Sequence, residues 1–306
     1  MLEVVKKLYE QRDLEGLKDL AKPTCRVLNK TKNFHSVLML SCHNLKHLVK
    51  IGTIKADCII LNLEDGVSKE DKPFALVLCA IFLSLHVESD KKLVVRVNSL
   101  DEGGIEEIKY LNSFKPDAIR VPKVKTYEDI KVINEILDED IELHVSIETK
   151  ESWQNLSVLN KGKNIEAYYL GILDLFADMG LSQTLITLNN PTLSYMLSHF
   201  LITSKTVDVK PVSFVYQDFK NLDEFQKWIE LEKSMGFDAK GCLSPKQVEM
   251  LNELYKDDKY EIYKAKKIVK LFEQNRKKGI TGFVDDEFGF IDEPIYKGAL
   301  KYYLKS

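Results

Sequence analysis

Residues 142–148 read ELHVSIE. From His144 the run has the look of a short buried strand, yet it closes on a carboxylate, Glu148. An acid at the end of an apolar strand is a helix N-terminal residue, a solvated loop residue or a ligand. Seven further runs of this kind lie along the chain: SVLMLS (36–41), CIILNLE (58–64), LVVRVN (93–98), AIRVPKV (118–124), IEAYYLGI (165–172), VDVKPVSFV (207–215) and AKGCLS (239–244). Each is bounded by Gly, Asp, Asn or Pro. Helix-length stretches separate them, among them 70–87, 126–137 and 222–235, and Thr126 with Asp129 reads as a helix cap. Eight strands alternating with helices predict an α/β fold with a parallel sheet, and eight is the number that closes a (β/α)8 barrel of the TIM type. An open doubly wound sheet is the competing architecture. Neither a GxGxxG nor a Walker loop supports it.

Outside the strands, residues 1–33 read as an N-terminal helical extension that Pro23 ends, and 34–255 as the barrel. Residues 256–306 read as a C-terminal lid or oligomerisation segment. It opens with a basic helix, 259–278, with eight Lys/Arg against two Glu. Ile262, Ala265, Val269 and Phe272 share one face of that helix. A Gly/Asp-rich turn and a helix at 294–304 follow.

With 30% charged and 44% hydrophobic residues, the composition is that of a soluble globular protein, and a net charge of −3 gives no reason to expect nucleic acid as the main partner. The five cysteines are scattered without a CxxC pair, the first residues are charged throughout, and no apolar run approaches the ~18 residues of a membrane span. These features predict a cytoplasmic protein with no membrane partner.

In a barrel the chemistry lies at the C-terminal ends of the strands. Those ends carry Glu64 and Asp65, Arg96 and Asn98, Lys123, Glu148 and Asp174. Glu148 and Asp174 are hard oxygen donors suited to Mg2+ (or Mn2+), which takes one or two carboxylates and keeps several waters. Arg96 can grip a carboxylate through its planar fork. A metal beside an arginine is a site for a 2-oxo acid, whose enolate it stabilises when a C–C bond is made or broken. Singly, each acid reads equally well as a first-turn helix residue; their convergence on one face favours a site. His43 and His47 are four apart but lack the further ligands of a zinc site. Lys123 reads as an ion-pairing residue rather than a Schiff base, and Cys42 as inert.

A resemblance sharpens this reading. SVLMLS, ADCIILNLEDGV (56–67), Lys72, VRVNSLD (95–101), PDAIRVPKV (116–124), SIET (146–149), LGILDLFADMG (170–180) and GFDAKGCLSPKQV (236–248) together resemble the citrate lyase β-subunit-like family. That family belongs to the HpcH/HpaI aldolase group with the malyl- and citramalyl-CoA lyases. The match runs over 34–255, in order, and more weakly into FGFIDEP (288–294).

The resemblance implies a barrel and an Mg-dependent carbon–carbon lyase acting reversibly on a 3-hydroxy-acyl thioester of CoA or an acyl carrier protein. It implies Glu148 and Asp174 as metal ligands and Arg96 on the oxo-acid carboxylate. Glu64 and Asp65 lie near the metal. Asp292 handles the thioester carbon. Catalytic residues are thus expected to be Arg96, Asp65 and Asp292, and substrate contacts Arg96, Glu64 and Lys123. Self-association as a trimer or hexamer is expected as well. Departures from the family pattern include Asn62 for its first aspartate, Ile172 and Leu173 before Asp174, and Ser244 for its histidine. They motivate two alternatives: a non-catalytic or regulatory relative that binds metal and 2-oxo acid, and a thioester-independent 2-oxo acid aldolase.

Overall fold

Eight parallel strands are laid down in chain order: β1 (Ser36–Ser41), β2 (Cys58–Asn62), β3 (Lys92–Arg96), β4 (Ala118–Val121), β5 (Glu142–Ile147), β6 (Ile165–Leu170), β7 (Lys210–Val212) and β8 (Lys240–Cys242). In this computed structural model, which describes residues 1–256 and 259–303, their order is β7-β6-β5-β4-β3-β2-β1-β8. The two edges meet through Ser213 and Lys240. Ser213 N–H donates to the Ala239 carbonyl at 2.9 Å, and Gly241 N–H donates to the Ser213 carbonyl at 3.1 Å. The barrel expected from the strand count is the barrel observed.

Strands covered on both faces must be apolar on both, and β2, β3 and β4 are buried at every position. One residue in two faces the axis. Val37, Cys58, Ile60, Val94, Ala118, Ala167, Tyr169 and Val212, each from a strand, pack into a single cluster there. The sequence runs outlast the ladders. β2, β4 and β5 stop at Asn62, Val121 and Ile147, so Glu64, Lys123 and Glu148 stand just beyond the last pairing.

The β7–β8 seam is short, and Pro211 has no N–H to offer a ladder. A buried side chain reinforces it. Lys240 Nζ donates to the Phe214 carbonyl at 2.9 Å and to Glu232 Oε1, on helix Leu222–Met235, at 2.7 Å. Gly241 is required for the close approach, since a Cβ there would meet Val215 Cγ2 at 2.5 Å.

The chain divides into two units, Met1–Leu254 and Tyr255–Ser306. The N-terminal residues form two helices rather than one preface, Leu2–Glu10 and Leu14–Leu20. Arg12 turns the chain at φ 56, and Asp13 caps the second helix by accepting from Gly16 N–H.

In the second unit the basic helix spans Lys259–Arg276, and the Gly/Asp-rich turn resolves into an antiparallel hairpin, β9 (Gly282–Asp285) and β10 (Gly289–Asp292), followed by helix Glu293–Tyr303. Ile268, Phe272 and Ile291 form its core, with Tyr296 stacked on Phe272 at 4.5 Å. Among the described residues no helix is long and apolar enough to cross a membrane.

Candidate active site

Where β5 ends, the next two residues divide the work. Thr149, not Glu148, caps the following helix, through a reciprocal capping box with Ser152. Glu148 is thereby released from helix duty, and it is buried. Its Oε1 accepts the Lys123 N–H at 2.9 Å. Lys123 adopts the left-handed φ of 54, a conformation that costs a non-glycine residue energy, and that donor is what the turn presents. From the other side, Gly171 lies against the same carboxylate. A Cβ at 171 would meet Glu148 Cβ at 2.6 Å and Oε2 at 2.8 Å.

Asp174 follows on the first turn of helix Ile172–Asp178, whose cap Gly171 offers no side chain. It is both a first-turn acid and a site acid. Burial raises its pKa, and the nearby Glu148 and Asp65 push it further up.

The ladder places the cations. Asn62 pairs with Arg96, and Arg96 with Arg120, so all three side chains face the barrel axis at one level. Arg96 is 5% exposed. Its Nη2 makes a very close ion pair with Glu64 and lies 3.4 Å from Asp65 Oδ2 and 3.6 Å from Glu148 Oε2. Lys123 Nζ stands 3.3 Å from Glu64 Oε1. Burial lowers the Lys123 pKa, but Glu64, Glu102 and Asp65 outweigh it and the net shift is upward, which suits an ion-pairing lysine and not a Schiff-base one. Burial likewise raises Glu64, with Arg96 opposing.

Asn62, the departure from the family aspartate, ties down the acidic loop. Its Nδ2 donates to the Asp65 carbonyl at 2.6 Å. Asn98 is structural: it accepts from Lys72 and donates to Glu107 and to the Leu63 carbonyl.

A cavity of ≈ 330 Å³ opens here, lined by Arg96, Arg120, Glu148 and Asp174 together with the apolar Met39, Phe214 and Leu243. Glu148 and Asp174 also border a second cavity of ≈ 500 Å³ that holds Lys123 and Lys125. A third, ≈ 460 Å³, lies at the starts of the strands around Glu142 and Glu166, away from this convergence.

Of the expected residues, Glu64, Asp65, Arg96, Lys123, Glu148 and Asp174 come together. Asp292 lies in the second unit, at the end of β10, where its Oδ1 accepts the Ile295 N–H at 3.2 Å. Two residues that sequence reading passes over belong to the site, Arg120 and Gly171. Cys42 is buried and its thiol is pushed well up by burial, as an inert cysteine should be.

The donor set fits a hard divalent cation. Both oxygens of Glu64 are buried without a hydrogen-bond donor, although ion-paired, and the charges of Glu148 and Asp65 both bear unfavourably on the Asp174 carboxylate. A cation relieves that repulsion. Among the described residues no group of three or more His, Cys, Asp or Glu is placed to hold a metal ion; Mg2+ needs only one or two protein carboxylates. Since a Cβ at 171 displaces Glu148, Gly171→Ala should weaken Mg2+ affinity by roughly 10–100-fold while circular dichroism stays that of the wild type; isothermal titration measures it.

Acids and guanidinium groups gathered at the C-terminal mouth of a (β/α)8 barrel define a barrel enzyme. Residues 35–245 match the family model for HpcH/HpaI aldolase/citrate lyase. The chain belongs to that family and is an enzyme. It is 27% identical over 247 residues to the (3S)-malyl-CoA thioesterase of Cereibacter sphaeroides, covering 80% of this chain and 85% of that protein. It is 26% identical to the citrate lyase subunit beta of Haemophilus influenzae, covering 86% and 94%. Its fold is shared by protein CitE of Mycobacterium tuberculosis, whose crystal structure contains magnesium, acetoacetate and coenzyme A; the two are 17% identical with a TM-score of 0.68, covering 90% of this chain and 99% of that one.

Proposed function

We propose that this enzyme is an Mg2+-dependent lyase that reversibly cleaves a 3-hydroxy-acyl thioester of citryl, malyl or citramalyl type to a 2-oxo acid and an acyl thioester. The observation that carries the reading is the meeting of Glu148, Asp174 and Arg96 in the lining of one cavity. The citrate lyase subunit among its relatives, and the magnesium and coenzyme A bound by CitE, support it. Glu148 and Asp174 would hold the ion. What Mg2+ supplies when bound is Lewis acidity toward the 2-oxo oxygen.

The remaining work belongs to side chains. Arg96 neutralises and orients the oxo-acid carboxylate. Asp65, exposed at the rim and 3.4 Å from Arg96, takes the proton of the 3-hydroxyl. Glu64 and Lys123 hold Arg96 and the substrate end of the cavity in place. Asp292 is assigned the proton at the thioester carbon on the family resemblance alone. The apolar lining residues Met39, Phe214 and Leu243 limit the water around the reacting groups.

The thioesterase among the relatives favours a second reading, hydrolysis of a malyl-type thioester. One assay separates the two. Malyl-, citramalyl- and citryl-CoA, and the corresponding free acids, are each incubated with Mg2+ or with EDTA, and 2-oxo acid and free thiol are read separately. The lyase forms oxo acid without thiol, and EDTA stops it. Thiol without oxo acid establishes hydrolysis. Oxo acid from the free acids establishes a thioester-independent aldolase, and no product at all overturns both lyase and thioesterase readings.

A further inference from the structure

Within the cavity wall the two guanidinium groups are unequally satisfied. Arg96 meets three carboxylates through Nη2. Its register neighbour Arg120 is 6% exposed, and among the described residues no carboxylate lies in ion-pairing reach of it. Its Nε donates to Ser146 Oγ at 2.9 Å and its guanidinium lies over the Tyr169 ring at 4.3 Å. These two contacts fix the plane of the group and leave its terminal N–H groups without a partner among the described residues, on the wall of the cavity that Glu148 and Asp174 share.

A buried cation without a direct ion-pair partner is costly unless something neutralises it. Burial, with Arg96 adding to it and the more distant Glu148, Tyr169 and Glu64 opposing, brings the Arg120 pKa down to about 10, which still leaves it charged at neutral pH. An arginine kept charged, desolvated and rigid at the side of a cavity is a preformed anion site.

We propose that Arg120 is a substrate-anion ligand: it receives a carboxylate oxygen of the 2-oxo acid from the barrel floor, so that the acid is read by two adjacent strands and not by Arg96 alone. This assignment deepens the lyase reading and rests on it for the identity of the acid. It makes Arg120 a discriminator between an acid and its neutral analogue, because the ester of the same oxo compound cannot discharge the guanidinium.

The test is calorimetry with Mg2+ present, titrating pyruvate, oxaloacetate and the neutral ester methyl pyruvate into wild type, Arg120→Met and Arg120→Lys. Arg120→Met should weaken both acids by on the order of tenfold or more, as expected for loss of a charge-assisted hydrogen bond. The ester and Mg2+ alone should be unaffected, and Arg120→Lys should recover part of the loss. Acids bound as in wild type by Arg120→Met overturn the proposal, as does an equal loss for acids, ester and Mg2+, which marks a merely structural residue. If wild type binds neither acid, the lyase reading fails on its own. Acetate is then titrated without Mg2+ while the Arg120 Nε–H resonance is followed: a shift upholds the anion site, and no shift overturns it.

Discussion

Asp174→Asn and Glu148→Gln each reduce Mg2+-dependent turnover by on the order of 100-fold or more, at least the cost of disturbing a metal's outer-shell partners. Both changes keep shape. In Glu148→Gln the side-chain amide oxygen can still accept the Lys123 N–H, so the turn stays closed. The stability readout should move the other way for Asp174. Its carboxyl is raised by burial and by Glu148 and Asp65, so removing its charge in the absence of metal relieves repulsion. Thermal unfolding in EDTA should therefore show Asp174→Asn at or above the wild-type midpoint while activity is gone. Steady-state assays across Mg2+ concentrations check the first half. Wild-type turnover in both variants would remove these acids from the chemistry.

Lys240→Met should destabilise the first unit by about 3–5 kcal/mol, the cost of leaving a buried charge unpaired. The Lys240–Glu232 pair is wholly buried, and Lys240 also donates to the Phe214 carbonyl across the seam between β7 and β8. A few backbone hydrogen bonds otherwise close that seam, so the variant loses a staple as well as a charge. The loss depends on pH. Burial raises the Glu232 pKa in the folded protein, with Lys240 opposing. The folded state then binds more protons than the unfolded one above the ordinary glutamate pKa, and stability falls as pH rises through that window. Without Lys240 the opposing charge is gone and the window extends upward. Denaturant unfolding at about pH 5 and pH 8 should show the smaller loss at the acidic value. A pH-independent change below about 1 kcal/mol would show that the seam does not depend on this pair.

The barrel is legible in the sequence because strands buried on both faces carry unbroken apolar runs, as CIIL in β2 and LVV in β3 do. Their ends are less legible. Apolarity outlasts the ladder: Leu63 and Val97 keep one last N–H bond to the neighbouring strand just past the assigned strand ends, and Val124 lies beyond the ladder. The site acids are visible once a barrel is assumed, since the topology alone brings the strand ends together. Arg120 is not, because AIRVPKV reads the same whether its arginine points to the axis or to a helix, and the pairing of Arg96 with Arg120 is a long-range fact. Gly171 is hidden for a similar reason. A lone glycine marks close approach, but not that the approaching group is Glu148. In the second unit, β9 and β10 are too short, and too rich in Gly and Asp, to rise above a turn. At the N-terminus, the break at Arg12 and Asp13 is masked by leucines that keep a helical rhythm on either side.

The two arginines and the acids of the mouth are anchored by different means. Arg96 and Arg120 are rungs of the ladder, and a slip of one residue would swing both out of the barrel. Glu64, Glu148 and Asp174 stand beyond the ladder, on the connections or the first turn of the helix that follows, where length can change without disturbing the sheet. An insertion in one of those connections would thus retune how far each negative group stands from a fixed pair of positive ones, so the mouth can be re-aimed at a differently sized acid while the scaffold beneath stays as it is.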